Sequence, residues 1–531
     1  LKKLHCFYSG SFTKSVMKPI KTLCFFVILL FAVNFAFGQK FEKAFADGEV
    51  LVKFKSGTDS SLIAQTNSLV GSNLLETLGD LGWIRVKLPE GMTVEKALED
   101  YKKYGEIEAV QPNFYYHLLA TPNDPQYTNA GMYGLGKISA PAAWDLTTGS
   151  PTVVVADIDT GMRYTHEDLA ANTWTNAGEI NGNGIDDDGN GFIDDFYGYD
   201  FRYNDPDPLD ENGHGTHTAG TIGAVGNNGV GVTGVNWNVK LMTIKIYSAG
   251  GTDSTSAMLV NAYNYVRLMK NRGVNIRVTN NSYADCPEAC GYDQATRDAL
   301  DALGEAGVLN VFAAGNNNGR NIDTQPLYPA SYNLPSILSV ASSTSTDTRS
   351  SFSNIGPISV DLAAPGSSVY STYNNSNSSY AALSGTSMAT PHVAGAAALL
   401  SSFNPNLSAA SLKATLMNTV DVLANWNGLV KTGGRLNVQR ALQNQTVCSF
   451  NLSQTNLFAP TKGGTFTVNI TAASNCDYSV KSGAKWISVT SASPLSGNGA
   501  VSFRVSTNQQ ISRSGTIRIG DQILTVTQSR N

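Results

Sequence analysis

Three stretches of this 531-residue chain carry side chains suited to moving protons or attacking electrophiles. The first, Val153-Val154-Val155-Ala156-Asp157-Ile158-Asp159-Thr160-Gly161, ends an apolar run in a carboxylate, and α/β sheets build their sites at the carboxyl ends of buried strands. The second, Asn212-Gly213-His214-Gly215-Thr216-His217-Thr218-Ala219-Gly220, sets a histidine among residues small enough for close backbone approach. An imidazole is the natural base near neutral pH. The third runs Ser384-Gly385-Thr386-Ser387-Met388-Ala389-Thr390-Pro391-His392-Val393-Ala394-Gly395, a polar glycine turn leading into a helical apolar pattern with Ser387 at the junction. Backbone N–H groups at a helix start favour the negative charge that a nucleophile's attack creates, although a serine there also serves as a plain cap. Pro391 fits the first turn of that helix. Other chemistries are poorly served. An aspartic protease needs a second Asp-Thr-Gly copy, which is absent, and His214 with His217 lacks further ligands at metal spacing.

Elements able to position these residues follow from periodicity. Between about 121 and 443, short apolar runs alternate with helical patterns, which predicts a parallel sheet covered by helices. Val153 to Ile158, Leu241 to Ile246, Ile276 to Thr279, Val308 to Ala314 and Ile337 to Val340 read as strands, and Ser254 to Lys270 as a helix with a core-facing stripe. Upstream, Glu49 to Phe54, Trp83 to Leu88 and Ile107 to Val110 read as strands, with a helix over Thr93 to Tyr104 capped by Thr93. From about Cys448 the chain is rich in Ser, Thr, Asn and Gly with period-two alternation, which predicts a β-sandwich whose clearest strands are Ala500 to Val505, Gly515 to Ile519 and Ile523 to Gln528.

Taken together, the three motifs resemble the subtilisin-like serine peptidases, over the whole middle segment. The resemblance implies a parallel-sheet α/β catalytic domain, a small α+β ferredoxin-like propeptide before it and an all-β Ig-like sandwich after it. It also implies a serine endopeptidase that acts through an acyl-enzyme, with Asp159, His214 and Ser387 catalytic in the chain order of subtilisin. Phe312-Ala313-Ala314-Gly315-Asn316 matches the family pattern that supplies an oxyanion-hole asparagine, here Asn316. The run through Asn281, Ser282 and Tyr283 resembles the strand that pairs with substrate backbone, with Ala284 where glycine is usual. Asp157 also departs from the family, in which an apolar residue is usual at that position. His166 reads as structural. The first segment resembles the family's inhibitory propeptide, to be cut near Ala120-Thr121, and the last resembles BACON-type domains, which implies either a glycan or protein ligand or, equally, a spacer role. Trp486 there reads as core more readily than as a stacking platform. A catalytically silent scaffold acting as a surface, glycan-binding or protein-binding protein is the alternative, and it leaves the complete set of chemical residues unexplained.

The remaining expectations concern compartment and cofactors. Lys18 and Lys21 precede an apolar run from Leu23 to Val33 and the small-residue pattern Ala36-Phe37-Gly38, which predicts a signal peptide over 1–38, with initiation at Met17, and secretion without a membrane span after cleavage. The domain boundaries expected are 39–120, 121–443 and 448–531. A net charge of -5 offers no basic field for nucleic acid. Of six cysteines, Cys286 with Cys290 and Cys448 with Cys476 are expected to form local disulfides. Asp186, Asp188 and Asn190 match the first half of an EF-hand-like loop, and Asp205, Asp207 and Asp210 form a second acidic loop, so structural Ca²⁺ is expected at one or both.

Overall fold

The computed structural model describes residues 45–115, 121–284 and 291–529. The leader and the Cys286–Cys290 pair therefore lie outside the described residues. The chain divides into two compact units, Leu1–His117 and Leu118–Asn531.

In the first unit the order is β1 (Phe45–Phe54), α1 (Ser60–Val70), β2 (Asn73–Leu78), β3 (Trp83–Lys87), α2 (Val94–Tyr101) and β4 (Ile107–Phe114). The antiparallel sheet runs β2-β3-β1-β4, the ferredoxin-like arrangement. Val50, Val52 and Phe54 alternate inward from β1, meeting Ala97 and Tyr101 of α2 in one small core. The Thr93 hydroxyl caps α2 by accepting from Lys96 N. Neither α1 nor β2 was expected: β2 is exposed along most of its length and shows no alternation.

The second unit opens with α3 (Tyr133–Lys137) and α4 (Ala140–Trp144) and continues through β5 (Gly149–Asp159), β6 (Gly198–Asp200), α5 (His214–Gly223), β7 (Asn238–Lys245), α6 (Ser256–Asn271), β8 (Ile276–Asn281), α7 (Gln294–Glu305), β9 (Leu309–Ala313), β10 (Ile337–Ser343), β11 (Leu362–Pro365), β12 (Val369–Tyr373), β13 (Ser379–Leu383), α8 (Thr386–Phe403), α9 (Ala409–Asn418), β14 (Asp421–Val422), β15 (Gly434–Arg435) and α10 (Val438–Gln443). Nine strands form one sheet, β14-β15-β11-β10-β9-β8-β5-β7-β6, parallel except where β14 meets β15. Val153 and Val155 of β5 face the core shared with α5 and α8, whereas Val154, Ala156 and Ile158 face the core shared with α6 and α7. Burial on both faces is why these strands read as unbroken apolar runs. Pro391 is the sixth residue of α8 rather than part of its first turn. The carbonyl its missing N–H would have met, Ser387 O, accepts instead from Ser282 Oγ at 2.9 Å.

The C-terminal sandwich comprises β16 (Asn451–Leu452), β17 (Asn456–Ala459), β18 (Gly464–Thr471), β19 (Asp477–Tyr478), β20 (Val480–Ser482), β21 (Ile487–Val489), β22 (Leu495–Ser496), β23 (Gly499–Val505), β24 (Arg513–Ile519) and β25 (Gln522–Gln528). Its two four-stranded sheets run β16-β18-β23-β21 and β17-β25-β24-β20. Cys448 and Cys476 are joined as expected. Trp486 is half-buried, and the Arg513 guanidinium sits 4.3 Å from the centre of its ring, covering a face that a ligand would need.

Ionic contacts seat the sandwich on the α/β layer. Lys413 of α9 lies 2.8 Å from Asp477, with side chains 6% and 10% exposed, and Lys481 reaches Asp301 (2.8 Å) and Glu305 (2.6 Å) of α7. Burial works against the Lys413 charge, but Asp361 and Asp477 outweigh it and raise its pKa. Removing one partner of such a buried group strands the others. Lys413→Ala should therefore lose about 3–5 kcal/mol of stability. Calorimetry should show a lower melting temperature, whereas Lys462→Ala on the surface should leave the melt unmoved.

Candidate active site

The carboxyl end of β5 and the N-termini of α5 and α8 meet at one cleft of about 390 Å³, lined among others by Asp159, His214, Asn316, Ser282, Tyr283 and Ser387. His214 Nδ1 lies 2.7 Å from Asp159 Oδ1, which also accepts from Thr160 N at 2.7 Å. The Ser387 hydroxyl donates to Ser282 O at 3.0 Å. Burial pulls the His214 pKa down, but the adjacent Asp159 charge and hydrogen bond outweigh it and hold the imidazole above its ordinary value. Burial instead drives His217 down to about 3 and His392 to about 4. Among these three histidines only His214 is shifted upward, so its imidazole alone gains basicity from its surroundings.

Asn316 stands just past β9. Its Oδ1 accepts from Thr386 N (2.9 Å) and Thr386 Oγ1 (3.0 Å). Since a backbone N–H can only donate, this fixes the amide's orientation and turns Nδ2 the other way. A Cβ placed on Gly385 would sit 3.5 Å from Asn316 Nδ2, 3.5 Å from Ser387 N and 3.7 Å from Ser387 Cβ. Two nitrogens that carry hydrogens thus lie near Gly385, beside the serine.

Comparisons with known proteins find relatives for each segment of the chain. Residues 150–447 match the subtilase family, 31–113 the fervidolysin N-terminal prodomain and 449–529 the viral BACON domain. The chain is 38% identical over 323 residues to thermitase of Thermoactinomyces vulgaris, covering 61% of this chain and 99% of that protein. It is 31% identical over 399 residues to a thermophilic serine proteinase of Bacillus sp. (strain AK1), covering 75% and 88% respectively. Subtilisin Savinase of Lederbergia lenta is 36% identical over 295 residues, 56% of this chain and 93% of that protein. The chain belongs to the subtilase family. It is a subtilisin-like serine endopeptidase with an N-terminal prodomain.

Within this subtilase, hydrogen bonds unseen in the sequence hold the motifs together. Asp210 acts as a clasp: Oδ1 accepts from Thr160 Oγ1, Asn212 N and Gly213 N, and Oδ2 from Thr216 N and Thr216 Oγ1. Thr160 Oγ1 in turn accepts from Gly215 N at 2.9 Å. The threonines of the first two motifs are thereby joined through one carboxylate. Asn281 is buried, its amide bonded to Thr279 Oγ1 and Val311 O, while Ser282 and Tyr283 reach the cleft. His166 is buried against Ser379 O at 2.9 Å, in keeping with a structural role.

The acidic loops are arranged differently from the EF-hand spacing. Asp186 accepts from Asn190 N and Gly191 N, closing a turn. The carboxylates that converge are Glu179, Asp188 and Asp195, with ligand atoms within 4.8 Å of one another. Glu179 and Asp195 were missed because they flank the loop at no recognisable spacing. Asp205 accepts from Asp207 N, and Asp207 from Leu209 N and Tyr164 OH.

Glycine is needed where β5 and α5 touch. A Cβ on Gly215 would stand 2.1 Å from Gly161 O and 3.1 Å from Asp159 Cβ. Gly215→Ala should cost about 1–3 kcal/mol through overpacking and, by parting Asp159 from His214, lower kcat/KM on the order of a hundredfold. Thermal melts and peptide-ester kinetics on the purified variant check both.

Proposed function

We propose that Ser387 is the nucleophile acylated by peptide substrates, that His214 is its general base and then the acid for the leaving amine, and that Asp159 orients the imidazole. Asn316 Nδ2 and Ser387 N donate to the oxyanion. The nearness of Asn316 Nδ2 and Ser387 N to Gly385, beside Ser387 Cβ, carries this reading, because acyl transfer calls for N–H donors next to the nucleophile. Ser387 Oγ rests on Ser282 O, so a rotation about its χ1 precedes transfer of its proton to His214. Attack on the carbonyl gives the tetrahedral intermediate, collapse releases the amine with the proton from His214, and water repeats the sequence to free the acid. The backbone at Ser282 to Ala284 supplies an edge for substrate pairing. The chain is read as a zymogen with a propeptide over 39–120, a catalytic domain over 121–443 and a sandwich over 448–531. It cuts itself near Ala120-Thr121 after export behind its leader, and the Cys448–Cys476 bond suits an oxidising compartment.

Casein hydrolysis should be blocked by a serine-directed phosphonylating reagent. In subtilisin itself, loss of the nucleophile costs ~10⁶ in kcat and loss of the oxyanion asparagine ~10²–10³. The same ranges are expected for Ser387→Ala and Asn316→Leu, with Ser387→Ala remaining uncut by mass spectrometry. Casein turnover undiminished in Ser387→Ala would remove the assignment of the nucleophile, whereas a parent chain that turns over no casein would favour the silent scaffold.

Glu179, Asp188 and Asp195 form a set of hard oxygen donors suited to Ca²⁺. Glu179 is 6% exposed and its Oε2 is buried without a hydrogen-bond partner, which leaves an acceptor facing its neighbours. The Arg272 guanidinium, 3.2 Å from Asp188 Oδ1, is the competing source of positive charge. When bound, the ion would brace the loop between the first two motifs and take no part in the acyl-transfer steps. Chelation should lower the melting temperature by several degrees, and added Ca²⁺ should restore it. In Glu179→Gln the response to chelation should shrink, whereas an unchanged melt in EDTA would leave Arg272 as the sole counter-charge.

A further inference from the structure

The residue that departs from the family's pattern, Asp157, has a place in the site. It is 2% exposed and lies two residues before Asp159 on the same face of β5. Its Oδ1 faces Asn280 Nδ2 at 2.8 Å, and its Oδ2 faces Thr218 Oγ1 at 3.0 Å. Each partner leads to a reacting residue. Asn280 Nδ2 also donates to Ser282 Oγ (3.1 Å), whose hydrogen goes to Ser387 O (2.9 Å). Thr218 Oγ1 lies 2.9 Å from Gly215 O, next to His214 in the first turn of α5.

Counting hydrogens bears on the charge state. The Thr218 hydroxyl has one hydrogen and two oxygens within reach, Asp157 Oδ2 and Gly215 O. If Asp157 carries a proton on Oδ2, it donates to Thr218 Oγ1, which remains free to donate to Gly215 O. Both contacts are then satisfied. An ionised Asp157 would leave one of them without a hydrogen and place a second negative charge beside Asp159.

We propose that Asp157 is a positioning residue: a neutral, proton-bearing carboxylic acid that cross-links the end of β5 to the base-bearing turn of α5 and, through Asn280 and Ser282, to the backbone of the nucleophile. Its part in catalysis rests on the triad reading above, whereas its protonation does not. Burial first and the Asp159 charge second push its carboxyl well above the usual range, in accord with the hydrogen count. The titratable or charged groups on the elements around it are Asp159 on β5, His214 and His217 on α5, Lys240 and Lys245 on β7, Arg277 on β8 and His392 on α8, of which Lys240 is held by Ala171 O at 2.7 Å. Lys245 is engaged by Asp200 (3.1 Å) and Glu211 (3.2 Å) and Arg277 by Pro405 O (2.7 Å), so neither is committed to Asp157.

The sign of the linkage gives a test independent of activity. A carboxyl whose folded pKa lies above its unfolded value takes up a proton on folding, so its contribution to stability falls as pH rises past the unfolded pKa, near 3.8. Asparagine imitates the protonated acid and carries no such dependence. In a Ser387→Ala background, Asp157→Asn should melt close to the parent near pH 4 and increasingly above it toward pH 8. The reverse trend, with Asp157→Asn losing ground as pH rises, would mean an ionised Asp157 and overturn the proposal. In the active chain, Asp157→Val should lower kcat on the order of 10- to 100-fold with KM little moved, and Asp157→Asn should recover most of that loss. Asparagine as impaired as valine, or valine as active as the parent, would dismiss the positioning role while leaving the triad to be judged by Ser387→Ala.

Discussion

The 2.7 Å contact between His214 and Asp159 is the constraint to which the rest of the catalytic domain answers. It joins the last residue of a central strand to the first residue of a helix, and the two backbones can approach closely enough only if no side chain intervenes. Gly215 against Gly161 O meets that demand. Asp210 then ties the threonines on either side, so the imidazole approaches a carboxylate whose surroundings are already fixed. The apolar layer beneath, where α5 and α8 share a core with Val153 and Val155, brings Ser387 to the same rim.

How much of this was legible depends on whether a feature leaves a local mark. Strands β5, β7, β9 and β10 are buried on both faces and each leaves a largely apolar stretch, whereas β8, buried as well, shows only Ile276 and Val278. Their existence was readable, and so were the motifs at their ends. The first unit was less so, because β2 is exposed and its sequence Asn73–Leu78 shows no alternation to betray it. Pro391 was misplaced because only the structure reveals that Ser282 stands in for the hydrogen bond it forgoes. The acidic loop was noticed, but the spacing suggested Asp186 and Asn190. The fold instead gathers Glu179 and Asp195 around Asp188, a convergence set by how the loop closes.

The interior holds an unusual number of carboxylates, and each is accommodated by a different device. Asp210 is surrounded by donated N–H and O–H groups, and Asp159 faces an imidazole. Asp477 shares the buried ammonium of Lys413, which also makes the sandwich part of the catalytic domain's charge balance. On the readings proposed here, Asp157 remains neutral by keeping its proton, and Glu179, Asp188 and Asp195 share a divalent cation. Burying an unpaired charge costs several kcal/mol, so these devices are conditions for folding as much as for catalysis.

Catalysis by the proposed route needs one part of Ser387 to move and another to stay still. Its hydroxyl must turn from Ser282 O toward His214, while its N–H must already point where the oxyanion will form. Pro391 makes the second requirement harder, because it removes the helical bond that would anchor Ser387 O. Ser282 Oγ replaces that anchor, and Asn280 holds Ser282 in turn. The same serine therefore receives the resting hydroxyl with its carbonyl and fixes the nucleophile's backbone with its side chain. On that route the hydroxyl turns while the backbone carrying the Ser387 N–H stays anchored, the division of labour that preorganised stabilisation requires.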